Sequence, residues 1–170
     1  TSEPWKRTQL TGKQLERAFD LRSDMALIAH TLTTGGMEAV DQLNIEVGTP
    51  LRPMAAERLK SIPEVLAKMD GRALMEYKYD GLRMQAHVPA KGEVRLYSRR
   101  LEETTHQFPD VAKALRRAFG DVECIVEGEA VALDADGKMR PFQDVSRRRG
   151  RKTDLAAASE EIPVTVFLFD

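Results

Sequence analysis

The sequence predicts an α+β fold, with antiparallel sheets flanked by helices and preceded by an all-helical segment. Three observations carry this. Apolar residues recur at helical spacing through the first 48 positions. The stretch Val47-Gly48-Thr49-Pro50-Leu51-Arg52-Pro53-Met54 then interrupts helical and strand patterns alike. From Ala73 the period switches to two. Helices thereafter fall between strands at uneven intervals, without the regular alternation of a doubly wound sheet.

In chain order, Leu15, Ala18 and Phe19 share one helical face after Thr11-Gly12. Ser23-Asp24 is a start signal for a helix from Met25 to Leu32, and Gly35-Gly36 stops it. A short helical turn follows from Met37 to Leu43. The proline-rich stretch sets a domain boundary, giving units 1–48 and 49–170. Ala55 to Lys68 reads as an amphipathic helix disturbed by Pro63. Two strands joined at Asp80-Gly81 form a predicted hairpin, because Asp-Gly between alternating runs is a strong turn signal. Glu93 to Ser98 is a third strand. Thr104 to Phe119 is a helix with Val111, Leu115 and Phe119 facing inward. Cys124 to Leu133 is a long strand. Short helices are predicted at Phe142 to Arg149 and Thr153 to Ser159, and a last strand at Ile162 to Phe169.

Composition narrows the function classes. The chain has 170 residues, 42% of them hydrophobic, enough for a packed core. The net charge of −1 argues against a uniformly basic nucleic-acid coat, though a basic face can hide in a balanced total. The single cysteine, Cys124, excludes a disulfide framework and a Cys-rich zinc site, and fits a reducing compartment. No run approaches the roughly 20 apolar residues of a membrane span, and the first residues show no signal-peptide pattern. The chain starts at Thr1 and stops at Asp170 on a strand pattern, so a piece of a longer protein is expected.

The chemistry centres on Glu76-Tyr77-Lys78-Tyr79-Asp80-Gly81-Leu82-Arg83. On the predicted strand, Leu74, Glu76 and Lys78 share a face, with Glu76 about 7 Å from Lys78 along the chain. A lysine between two tyrosines near a strand end is placed for partial desolvation, which frees its amine as a nucleophile. Glu127 and Glu129 also share a strand face, where two carboxylates in an apolar run need a partner such as a metal or a hydroxyl. Arg147-Arg148-Arg149-Gly150-Arg151-Lys152 is the most basic run. It suits either DNA-phosphate contact or a solvated loop.

The Lys-x-Asp-Gly-x-Arg pattern at Lys78 resembles the lysine motif of the covalent nucleotidyltransferases: ATP-dependent DNA ligases, RNA ligases and mRNA capping enzymes. Ser98-Arg99-Arg100-Leu101-Glu102, Val126-Glu127-Gly128-Glu129-Ala130-Val131-Ala132 and Val166-Phe167-Leu168-Phe169-Asp170 follow in the order of that family. The resemblance is closest to the archaeal and eukaryotic type of ATP-dependent DNA ligase and covers about residues 10 to 170. It implies that Lys78 takes AMP from ATP. It implies that Glu76 reads the adenine amino group, and that Arg83 and Arg99 contact nucleotide or DNA phosphate. Glu129 would meet the ribose and Mg²⁺, and Phe169 would stack on adenine. Residues 1–48 would be the end of a helical DNA-binding domain and 49–170 the start of the adenylation domain. The implied partner is nicked double-stranded DNA, with no membrane, and the protein is expected to be a monomer. Its expected location is the cytoplasm of a prokaryote or the nucleus of a eukaryote. An RNA ligase or capping enzyme, or a non-catalytic nucleic-acid-binding module that keeps the fold, are the alternatives.

Overall fold

A computed structural model describes residues 4–151 and 153–170. Helices α1 (Pro4–Arg22) and α2 (Met25–Asp41) pack on each other, with Ala18, Ile28 and Val40 buried between them. Asp24 starts α2, its carboxylate accepting from the Leu27 N–H at 2.9 Å. Gly36, at φ 71°, kinks α2, so the predicted stop survives as a break between two helical stretches.

Helix α3 runs over Ile62–Lys68, much shorter than the predicted 55–68. Pro63 is the reason. It lacks an N–H, which only the first turn of a helix can spare, so it starts this helix where a disturbance had been expected. Ser61 caps it, accepting from the Glu64 N–H, while the Glu64 carboxylate accepts from the Lys60 N–H.

The sheet is antiparallel, with strand order β2-β1-β3-β4. Its strands are β1 (Leu82–Val88), β2 (Arg95–Ser98), β3 (Cys124–Ala132) and β4 (Val164–Leu168). Helices α4 (Pro109–Phe119), α5 (Phe142–Gly150) and α6 (Leu155–Glu161) fall between strands. Expected and observed elements agree here to within a few residues, except that Thr105–Gln107 forms a separate 3₁₀ turn before α4. Among the described residues there is one sheet, where sheets in the plural had been expected.

Alternation gives the sheet two unlike faces. Leu82, Met84, Ala86 and Val88 of β1 join Leu96, Ala130 and Ala132 on one face. Val111 and Leu115 of α4 and Val145 of α5 cover them, with Phe108 and Ile162 completing the core. The other face carries Arg83, Gln85 and His87 of β1, with Tyr97 of β2 opposite Gln85. Glu127 and Glu129 of β3 lie opposite Gln85 and Arg83, and Phe167 of β4 opposite Glu129.

The predicted hairpin at Asp80-Gly81 does not form. Residues 72–80 form no strand pairing with any described residue, and Leu74, Met75 and Tyr77 are exposed. A two-residue hairpin turn of the favoured kind needs positive φ at both central positions, and neither Asp80 nor Gly81 has it. Gly81 is required for a different reason: a Cβ there would sit 2.4 Å from the Ala130 carbonyl oxygen and 2.9 Å from Val131 Cγ2. Gly128 is hemmed in similarly, by the Phe167 carbonyl oxygen at 2.6 Å. Gly81→Ala is therefore expected to lower stability by about 1–3 kcal/mol through overpacking. Urea denaturation of the variant and the parent checks this.

Candidate functional site

The polar face of the sheet gathers charged and aromatic groups beside the end of β1. Arg83 forms an ion pair with Oε2 of Glu127, whose side chain is only 12% exposed. The Arg83 guanidinium also lies over the Phe169 ring, 5.3 Å from its centroid. Tyr79 stacks on Phe167 at 4.2 Å and 14°. That stacking covers Phe167, while Phe169 keeps 43% of its surface exposed.

Glu129 sits at the meeting point of three segments. Burial raises the affinity of its carboxyl for a proton above the usual carboxylate range. Opposing this are the Gly81 N–H, which donates to it, and then the charges of Lys78 and Arg83; Asp80 adds to the rise. Lys78 and Arg83 are thus each within electrostatic reach of Glu129. The close approach of Gly81 to β3 brings this about, since it lays the chain just after Lys78 against Ala130.

Lys78 itself is exposed. The expectation of a strand position between desolvating tyrosines is corrected: the segment has no strand partner, and Tyr77 points to solvent while Tyr79 turns inward onto Phe167. Glu76 is likewise exposed and makes no hydrogen bond or ion pair among the described residues. Arg99 is exposed in the turn after β2. It lines a cavity of about 400 Å³ with Phe19, Ser23, Arg52, Arg100 and Leu101, none of which is among the groups acting on Glu129.

The basic run divides. Arg148 is fully buried, which overturns its reading as a DNA contact. Its guanidinium forks onto Asp110 and donates to the carbonyls of Gln107 and Ile162 and to Ser159 Oγ, lying over Phe108 at 4.6 Å. Three residues per near-turn of α5 point one arginine inward beside Val145. Arg147 and Arg149 face outward, paired with Asp144 and Glu102. Lys152 lies outside the described residues.

Sequence reasoning missed one group of polar residues. Gln85, His87 and Tyr97 are all buried and bonded to the 48–51 segment. The alternation Arg83-Gln85-His87 was the available signal, since three polar side chains on one strand face mark a face that is not hydrophobic core. Burial, with Arg95 contributing, lowers the His87 pKa to about 4, so the ring is neutral near pH 7.

No described helix is long and apolar enough to cross a membrane. Among known proteins, the chain is 49% identical over 158 residues to a DNA ligase of Hyperthermus butylicus, covering 92% of this chain and 26% of that protein. It is 45% identical over 163 residues to a DNA ligase of Saccharolobus solfataricus, covering 95% of this chain and 27% of that one. The chain thus spans about a quarter of the length of the curated relatives it matches. A solved ligase domain of LigD from M. tuberculosis aligns over 56% of this chain and 27% of its own, with 28% identity and a TM-score of 0.42. The family model described as "ATP dependent DNA ligase domain" matches residues 53–170, most of the chain and all the residues around Glu129, and the chain belongs to that family.

Proposed function

We propose that this chain carries the nucleotide-accepting part of an ATP-dependent DNA ligase, in which Lys78 becomes covalently joined to AMP. The observation that carries the reading is the convergence on Glu129 of Lys78, Arg83 and the Gly81 amide. Lys78 Nζ, once deprotonated, attacks the α-phosphorus of ATP. The N–P bond forms as the bond to the pyrophosphate oxygen breaks, and the amine proton passes to solvent. Arg83, held by Glu127 and lying along Phe169, is oriented to meet ribose or phosphate oxygens with its planar fork. Phe169 offers the open ring for adenine, and Glu76 would accept from the adenine amino group.

Among the described residues no group of three or more His, Cys, Asp or Glu side chains could hold a metal ion. Glu129 has a second carboxylate, Asp80, within electrostatic reach. Mg²⁺ is commonly bound through one or two carboxylates, with substrate phosphates completing its shell. The residues therefore fit an ion that arrives with the nucleotide, with Glu129 as its protein ligand. When bound it would neutralise charge on the transferring phosphates.

In the full-length protein the AMP would pass to the 5′-phosphate at a nick in duplex DNA, and the 3′-hydroxyl would then displace it. On this reading residues 1–48 end a DNA-binding unit, residues 49–170 begin the adenylation unit, and the protein acts as a monomer.

Glu129→Gln tests the site. It keeps shape and removes charge. Single-turnover adenylation should fall by roughly a hundredfold, the scale of losing one preorganised electrostatic contact. The melting temperature should hold or rise, because burial already disfavours the charged carboxylate. Lost stability with normal turnover would assign Glu129 to the core instead.

A further inference from the structure

The polar face of the sheet is closed at one end by chain that precedes the sheet. The Gly48 N–H donates to His87 Nδ1 at 2.8 Å, and the Tyr97 hydroxyl donates to the Gly48 carbonyl at 3.0 Å. The Leu51 N–H donates to Gln85 Oε1 at 2.7 Å, and Gln85 Nε2 donates back to the Leu51 carbonyl at 3.1 Å. Because His87 Nδ1 accepts from Gly48, the proton of the neutral ring is on Nε2. From there it is donated to the same Gln85 Oε1, at 2.9 Å.

One orientation of the Gln85 carboxamide satisfies all of this. Its oxygen takes two donors. Its nitrogen gives one hydrogen to the Leu51 carbonyl and the other to Glu127 Oε1. A flipped amide would set N–H against N–H at Leu51 and oxygen against the Glu127 carboxylate. Glu127 is therefore gripped at both oxygens, Oε1 by Gln85 and Oε2 by Arg83. Removing the first grip frees the carboxylate to rotate, and the Arg83 guanidinium, still 33% exposed, moves with it.

We infer that Gln85 is a positioning residue for the nucleotide pocket. Clamped by Leu51, it fixes Glu127 and through it Arg83, so that the seating of the 48–51 segment is felt where the nucleotide binds. The inference rests on the reading that Arg83 faces bound nucleotide.

Gln85→Glu in the full-length protein is the direct test. The isosteric carboxylate keeps the acceptor for Leu51 and His87 but loses both donors and repels Glu127. The KM for ATP in self-adenylation should rise about tenfold or more, with a smaller change in kcat. The reciprocal double variant Gln85→Glu/Glu127→Gln restores a donor–acceptor pair between the two positions and should recover part of that loss. A merely structural role would lower the melting temperature and leave the KM of the folded molecules unchanged. An unchanged KM in the single variant, or a double variant no better than the single, overturns the inference.

A second arm needs no substitution. Coupling is reciprocal, so a non-hydrolysable ATP analogue should slow hydrogen exchange at the Gly48 and Leu51 amides of the wild-type protein by about fivefold or more. Unchanged exchange with the analogue bound also overturns it. A wild-type protein that binds no analogue would instead count against the proposed function itself.

Discussion

Arg148→Met is expected to cost about 3–5 kcal/mol, the range for breaking a buried ion pair from one side. At the usual few degrees per kcal/mol for a chain of this size, the melting temperature should fall by roughly 10 °C. The reason is local. Arg148 is 0% exposed and donates to a carboxylate, two carbonyls and a hydroxyl drawn from the turn before α4, from α4, from α6 and from the residue after α6. Methionine fills most of the volume but leaves Asp110 and both carbonyls without their donor. Arg148→Lys should also fail, because an ammonium cannot reproduce the planar fork. The control lies next to it. Arg147 is 65% exposed, and its pair with Asp144 is a surface ion pair. Arg147→Ala should change stability by less than about 1 kcal/mol. Thermal denaturation of both variants decides the matter, and equal small effects would contradict the burial argument. One practical consequence is that neutralising 147, 148 and 149 together reports on folding before it reports on DNA.

Lys78→Ala carries the largest expected effect on activity. Its side chain is exposed, so the variant should be as stable as the parent to within about 0.5 kcal/mol. Adenylate formation should nonetheless drop by something on the order of 10⁶-fold, as when a nucleophile is deleted from an enzyme that works through it. Lys78→Arg should be equally inactive, since a guanidinium is never neutral and cannot attack. Circular dichroism together with label retained through denaturing electrophoresis separates loss of chemistry from loss of fold.

Strands were the legible part of this fold. One face of β1 and β3 must meet helices, and that requirement writes a period of two into Leu82-Met84-Ala86-Val88 and Val126-Gly128-Ala130-Ala132. Helix α4 was legible for the same reason, through Val111 and Leu115. Asp80-Gly81 was misread because Asp-Gly signals a turn by conformation, whereas Gly81 is needed for space against Ala130. Pro63 was misread because the same residue that breaks a helix interior begins a helix at its first turn. At the site, the alternation of Glu127 and Glu129 placed both on one face correctly. Which one pairs with Arg83 depends on a diagonal across two strands that no local pattern encodes. Arg148 shows the same limit: its partner Asp110 lies 38 positions away, so the run read as either a DNA-phosphate contact or a solvated loop.

The central claim is that Lys78 is the residue that accepts the nucleotide. Incubating the full-length protein with ATP and Mg²⁺, then mapping its peptides by mass spectrometry at neutral to mildly alkaline pH, tests it directly. The account predicts one added adenylate, on the peptide containing Lys78 and fragmenting to that residue. An adenylate mapped to any other lysine, or an active protein whose Lys78 peptide stays unmodified, would contradict it.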